Sequence, residues 1–112
     1  MENWADEMEG GVTVIDTAGV IVYMNGRAKK IFERFGGGAL IGKNSLECHP
    51  EPARTKLADL LANPRPNAYT IEKNGVKKLI YQTPWHKDGK FAGLVELSLE
   101  LPAEMPHHVR KP

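Results

Sequence analysis

The single cysteine of the chain, Cys48, stands directly before His49. A thiolate is a nucleophile and a metal ligand, and an imidazole can take a proton or bind iron. Nucleophilic catalysis also needs a group that orients the base. No spacing in the sequence connects Cys48 and the histidines into such a triad. Paired carboxylates at helical spacing are absent from the segments that would wall a pocket. The sequence therefore reads as a non-enzyme. His107 and His108 are adjacent in the tail, short of the three or four ligands of a usual zinc site. Gly36-Gly37-Gly38 lacks the Lys-Ser/Thr ending of a phosphate loop and follows no strand, so it reads as a joint. Lys29-Lys30 and Lys77-Lys78 are scattered charges, not a nucleic-acid stripe.

A second group of chemistry-bearing residues lies near the C-terminus. Tyr81 and Thr83 alternate with Leu79 and Trp85 on one strand face. Sparse hydroxyls of this kind orient ligands in apolar pockets, although the same residues also suit a core edge. A one-residue change of register would exchange the two faces. Asn25 and Asn44 fit capping and turn formation, and Asn44 could also offer its amide to a ligand. Cys48 fits a small buried apolar residue, and His49 a helix-entry residue held by backbone or water.

These side chains need elements to carry them. Residues 12–16 and 20–24 are rich in β-branched residues and flank the turn signal Asp16-Thr17-Ala18-Gly19, which predicts a hairpin. Asn25 is a predicted N-cap, followed by Ala28, Ile31, Phe32 and Phe35 at helical spacing. Ile41-Gly42-Lys43-Asn44 leads into a short irregular helix with Leu46 and Cys48. A further helix follows Pro50 and Pro52 and carries Leu57, Leu60 and Leu61. Three strands close the chain, with tight turns at Asn74-Gly75 and at Asp88-Gly89. In the last strand Val95, Leu97, Leu99 and Leu101 alternate with Glu96, Ser98 and Glu100. The order β-β-α-α-α-β-β-β gives an α+β fold: a five-stranded antiparallel sheet with short helices on one face. Residues 1–11 are expected to be a lead-in helix, with Trp4 and Met8 sharing a face against the domain or another subunit. Residues 102–112 are expected to be a flexible tail.

The chain has 112 residues, 41% hydrophobic and 26% charged, which suits one domain with one core. Its formal net charge of +1 gives no footprint for nucleic acid or anionic lipid. One cysteine excludes an intrachain disulfide and fits a reducing compartment. There is no signal-peptide core and no apolar run of membrane-spanning length, so the expected location is cytoplasmic.

The succession resembles the PAS domain family over residues 12–101. The resemblance rests on Val14-Ile15-Asp16, the turn at Gly19, and Val22-Tyr23-Met24-Asn25 running into a helix with Ala28 and Phe32. It continues through Ile41-Gly42-Lys43-Asn44, the helix after Pro50, and Asp88-Gly89-Lys90-Phe91-Ala92-Gly93. It implies a small cavity between the sheet and the helices, and a sensory role that usually feeds a kinase, cyclase or transcription domain. No output domain is evident in this sequence, so output is expected from self-association or a partner signalling protein.

The resemblance also ranks the pocket chemistry. A flavin-adduct cysteine would stand where Ser45 does, and a chromophore-linked cysteine would lie further along the chain than Cys48. His49 stands near the helix from which haem-binding members take an axial histidine, leaving haem as an alternative; otherwise no cofactor is expected. The candidate cavity residues are Val14, Ile31, Phe35, Leu46, His49, Tyr69, Tyr81, Thr83 and Leu97. Trp4 and Met8 are the candidate dimer or partner contacts. The expected function is a PAS-type sensor that binds a small molecule and signals through a homodimer or a partner. The competing expectation is a ligand-free interaction module.

Overall fold

The computed structural model describes residues 3–112. Its elements are β1 (Gly11–Ile15), β2 (Ile21–Met24), α1 (Gly26–Ile31), α2 (Ser45–Cys48), α3 (Ala53–Ala62), β3 (Asn67–Lys73), β4 (Val76–Lys87) and β5 (Lys90–Glu100). Two 3-10 turns, Glu33–Phe35 and Gly37–Leu40, follow α1. The strands form one antiparallel sheet in the order β2-β1-β5-β4-β3. The predicted class and element order are both present.

Turn chemistry sets the connections. Asp16 Oδ1 accepts the amides of Ala18 and Val20 at 2.9 and 3.0 Å, which closes the β1–β2 turn. Asn74 and Gly75 have φ of 53° and 78°, and Asp88 and Gly89 have φ of 51° and 77°. Two consecutive left-handed residues match the twist of the strands they join. α2 is held as locally as the hairpins. Asn44 Oδ1 caps α2 by accepting Leu46 N–H at 2.9 Å, while its amide donates to Ala18 O at 3.1 Å. Asn44 thus serves both as cap and as tie to the first turn.

Ile15, Ile21, Met24, Ala28, Leu40, Leu57, Leu60 and Leu94 form the core, with Phe32, Leu46, Leu61 and Phe91 packed against it. The core sits between the helices and the β2-β1-β5 side of the sheet. β3 reaches beyond it, and six of its seven residues are exposed.

The chain departs from expectation at three places. Residues 4–7 form turns, and no helix occurs among residues 3–9. The Ala5 and Asp6 carbonyls, which a helix would use internally, accept instead from Asn25 Nδ2 and Gly26 N. Trp4 is consequently 79% exposed and Met8 half-buried, so they form no common stripe. α1 ends at Ile31 because Gly36 and Gly37 take φ of 119° and 53°, and Gly37 N–H closes on Phe32 O. Phe35, beyond that end, is 67% exposed. Cys48 is exposed, not buried, because α2 ends there after one turn.

A close backbone approach joins β5 to β1. A Cβ on Gly93 would lie 1.9 Å from Ile15 O, and Gly93 has φ of 139°. The same carbonyl accepts the Trp85 indole N–H at 3.1 Å. Gly93→Ala must therefore push β1 away and break the indole bond. The expected result is a loss of more than about 2 kcal/mol in denaturant unfolding. A variant as stable as the wild type would contradict this packing.

Candidate functional site

Residues paired across an antiparallel ladder lie on the same sheet face, and neighbours along a strand alternate. Ile15 pairs with Leu94, and both belong to the helix-covered core. That row fixes the face of the others. Thr13, Glu96, Gln82 and Asn67 form the next helix-facing row. Gly11, Ser98, Ile80 and Tyr69 form the one after, followed by Glu100, Lys78 and Ile71. The helix-facing floor thus changes from apolar to polar to charged along β5.

The polar row is hydrogen-bonded across three strands. Asn67 Nδ2 donates to Gln82 Oε1 at 2.8 Å, and Gln82 Nε2 donates to Glu96 Oε1 at 2.9 Å. The chain of amides is oriented and terminates in a carboxylate, so it presents an acceptor on the floor. Burial, and then the charge of Glu96, push the Tyr69 phenol upward.

Beyond this row a cleft of about 510 Å³ opens, lined by Glu9, Gly10, Arg27, Ile31, Lys78, Ser98, Leu99 and Glu100. One wall is the lead-in segment and α1; the other is the start of β4 and the end of β5. Arg65–Asp59, at 2.5 Å, is the one ion pair among the described residues. Glu9, Arg27, Lys78 and Glu100 form no salt bridge with one another or with any other described residue. All four line the cleft.

Asn25 builds the first wall. Its Oδ1 accepts Val12 N–H at 3.0 Å and Ala28 N–H at 2.9 Å. Its Nδ2 donates to Ala5 O and Gly10 O, both at 2.8 Å. It is both the expected N-cap and the clamp that holds Gly10 beside α1. Tyr23 OH donates to Asp6 Oδ1 and adds a second tie on the lead-in.

The predicted cavity residues are dispersed. Ile31 lines the cleft. Tyr69 shares its sheet face but is 46% exposed on the edge strand. Leu46 packs against the core. His49 is half-buried, with Nδ1 2.6 Å from Ser45 O, which agrees with the backbone-held alternative. Val14, Thr83, Tyr81 and Leu97 lie on the opposite sheet face, because Val14 pairs with Val95 and Val95 with Thr83, while Val12 pairs with Leu97 and Leu97 with Tyr81. Phe35 faces solvent past the end of α1. The single wall expected from these nine residues is therefore not assembled. Sequence reasoning passed over Asn67, Gln82, Glu96, Ser98, Arg27, Lys78 and Glu100. The available signal was the parity of β5: Leu94 and Val95 are consecutive apolar residues, so either face could have been the inner one.

No family model matches the sequence, and no curated protein matches it significantly. Solved structures do. The PAS domain of histidine kinase ThkA superposes with a TM-score of 0.65 at 15% identity, covering 82% of this chain and 99% of that one. A sensory box sensor histidine kinase from Vibrio cholerae gives 0.63 at 20% identity, covering 87% and 86%. The Aer2 receptor from Vibrio cholerae, a dual PAS-heme oxygen sensor, gives 0.61 at 17% identity, covering 83% and 95%. The chain has the PAS fold.

The cleft offers haem no axial ligand. None of the lining residues is His, Cys or Met, and four are charged. No residue between Ile31 and Lys78 in the chain lines it, so His49 is not on its wall. The cleft does not fit haem. Among the described residues no group of three His, Cys, Asp or Glu could hold a metal.

The lead-in tie has a pH signature. Burial and the hydrogen-bonded carboxylate of Asp6 push the Tyr23 phenol from 10.0 up to about 12. The folded state thus favours the neutral phenol. Its contribution to stability is full below pH 10 and is lost as pH rises toward about 12. Phenolate absorbance should show one tyrosine titrating near 12, absent in Tyr23→Phe, whose stability should lack the same alkaline step. Ionisation of Tyr23 near 10.0 would contradict the tie.

Proposed function

We propose that this chain is a PAS-type sensory domain of signal transduction that binds a small molecule on the helix-facing floor of its sheet. The observation carrying this reading is the oriented Asn67–Gln82–Glu96 row leading into the 510 Å³ cleft. A volume of this size suits a small organic ligand. Sparse, preoriented polar groups beside Ile31 give such a ligand both direction and apolar contact. The sensory folds it superposes on support the same class of role. The domain acts by binding, not by catalysis, and a cytoplasmic location accords with the absence of any helix long and apolar enough to cross a membrane among the described residues.

The lead-in is the output side of this reading. Occupancy of the cleft changes the contacts of Glu9 and Gly10, and a ligand preferring one position of that segment shifts the population toward it. The receiver is a second copy or a partner signalling protein. Its seat is the other sheet face, where Val14, Val95, Leu97, Leu99, Leu79 and Tyr81 are all only half-buried. That apolar face also favours a second reading, in which the domain is an interaction module without a ligand.

Both readings are separated by one set of preparations. A metabolite panel should contain a compound that raises the wild-type Tm by more than about 5 °C at a hundredfold excess over Kd. The shift should be smaller in Gln82→Leu, which cuts the polar row. Light scattering of the same samples reads dimerisation and its weakening in Leu97→Asp. A panel without a single shift, together with a dimer, leaves the interaction module standing and removes the sensor.

A further inference from the structure

The four free charges of the cleft are distributed by wall. Glu9 and Arg27 come from the lead-in and α1; Lys78 and Glu100 come from the directly paired ends of β4 and β5. Each wall therefore offers one anion and one cation. An anionic ligand would gain from Arg27 and Lys78 but meet Glu9 and Glu100. A cationic ligand would face the reverse conflict. A neutral ligand would desolvate charges without pairing them. A molecule carrying both signs can match a group of each sign. Between the charges lie the apolar Ile31 and the Ser98 hydroxyl.

We infer that the cleft takes a small zwitterion with an apolar side chain, of amino-acid or dipeptide size. The inference rests on the reading of this cleft as the ligand site and names the ligand class. The ligand carboxylate pairs with Arg27 or Lys78, with the planar Arg27 guanidinium offering the bidentate geometry. The ligand ammonium pairs with Glu9 or Glu100. Ile31 covers the side chain. Nucleotides and other polyanions are disfavoured by the two glutamates, in keeping with the formal net charge of only +1.

The scaffold supports this assignment in two ways. Lys78 and Glu100 are directly opposed across β4 and β5, yet form no ion pair, so both heads are open to a third partner. Gly11 lets the two walls approach: a Cβ there would lie 3.0 Å from Ile31 Cδ1 and 3.4 Å from Ser98 Cβ, both residues that line the cleft of about 510 Å³.

The test is an amide chemical-shift titration of the full, isotope-labelled chain with leucine and leucyl-leucine. The controls are the carboxamide of leucyl-leucine, which lacks the carboxylate, and its N-acetyl form, which lacks the ammonium. Saturable shifts at Gly10, Ile31 and Ser98 are expected with at least one free zwitterion. Binding should be at least tenfold weaker for both capped forms, and tenfold weaker for Arg27→Gln and Glu100→Gln, about 1.4 kcal/mol each. Both substitutions are at exposed positions, and the spectrum itself reports whether the variant is folded. Capped forms that bind as tightly as the free peptide would overturn the zwitterion while leaving the cleft as a site. Failure of leucine and leucyl-leucine to shift these amides also overturns it. If, in addition, no compound of the metabolite panel moves the amides of the cleft or of the polar row, the site reading falls with it.

Discussion

One buried amide organises this domain. The Asn25 side chain is fully buried and makes four hydrogen bonds, two as acceptor and two as donor. They join the lead-in segment, β1 and α1 at a single point. An amide with four partners is close to saturated, and no hydrophobic side chain can replace it without leaving buried backbone groups unpaired. Each unpaired group costs about 1–3 kcal/mol, so the constraint is strong relative to the marginal stability of a domain this size.

The geometry of the cleft follows from that clamp. Gly10 O is one of the four partners, which puts Glu9 and Gly10 on the rim. Ala28 N–H is another, which starts α1 and points Arg27 and Ile31 at the same space. The opposite wall is made by strand register alone, through Lys78, Ser98 and Glu100. The sheet therefore has an unusual division of labour. Its helix-facing side carries the polar row and the free charges, while the side turned away from the helices is the more continuously apolar one on β4 and β5. The first side suits a small ligand, and the second suits a protein surface.

Much of the fold was legible in the chain. β-branched runs, the Asn74-Gly75 and Asp88-Gly89 turns, the Asn25 cap and the leucines of α3 each act over a few residues, and local chemistry decides them. The lead-in was not legible, because what prevents its helix is a set of partners on residues 25 and 26. The length of α1 was misjudged because Ile31, Phe32 and Phe35 keep helical spacing past the point where Gly36 and Gly37 turn the chain. The site was the least legible. Alternation told which residues of β4 and β5 share a face, but not which face the helices cover. That choice depends on Leu94 meeting Ile15 across a bulged and twisted sheet. A one-residue shift of parity moved Tyr81, Thr83 and Leu97 outward and brought Gln82, Glu96 and Ser98 inward.

The clamp at Asn25 can be tested directly by native-state hydrogen exchange of Asn25→Ala beside the wild type. The informative amide is Gly26, whose partner is Asp6 O and whose own hydrogen bond the substitution leaves in place. If Asn25 holds the lead-in against α1, Gly26 loses protection at least tenfold more than the amides that pair β4 with β5. Equal loss at both places, or no loss at Gly26, would contradict the claim that this one side chain builds the wall of the cleft.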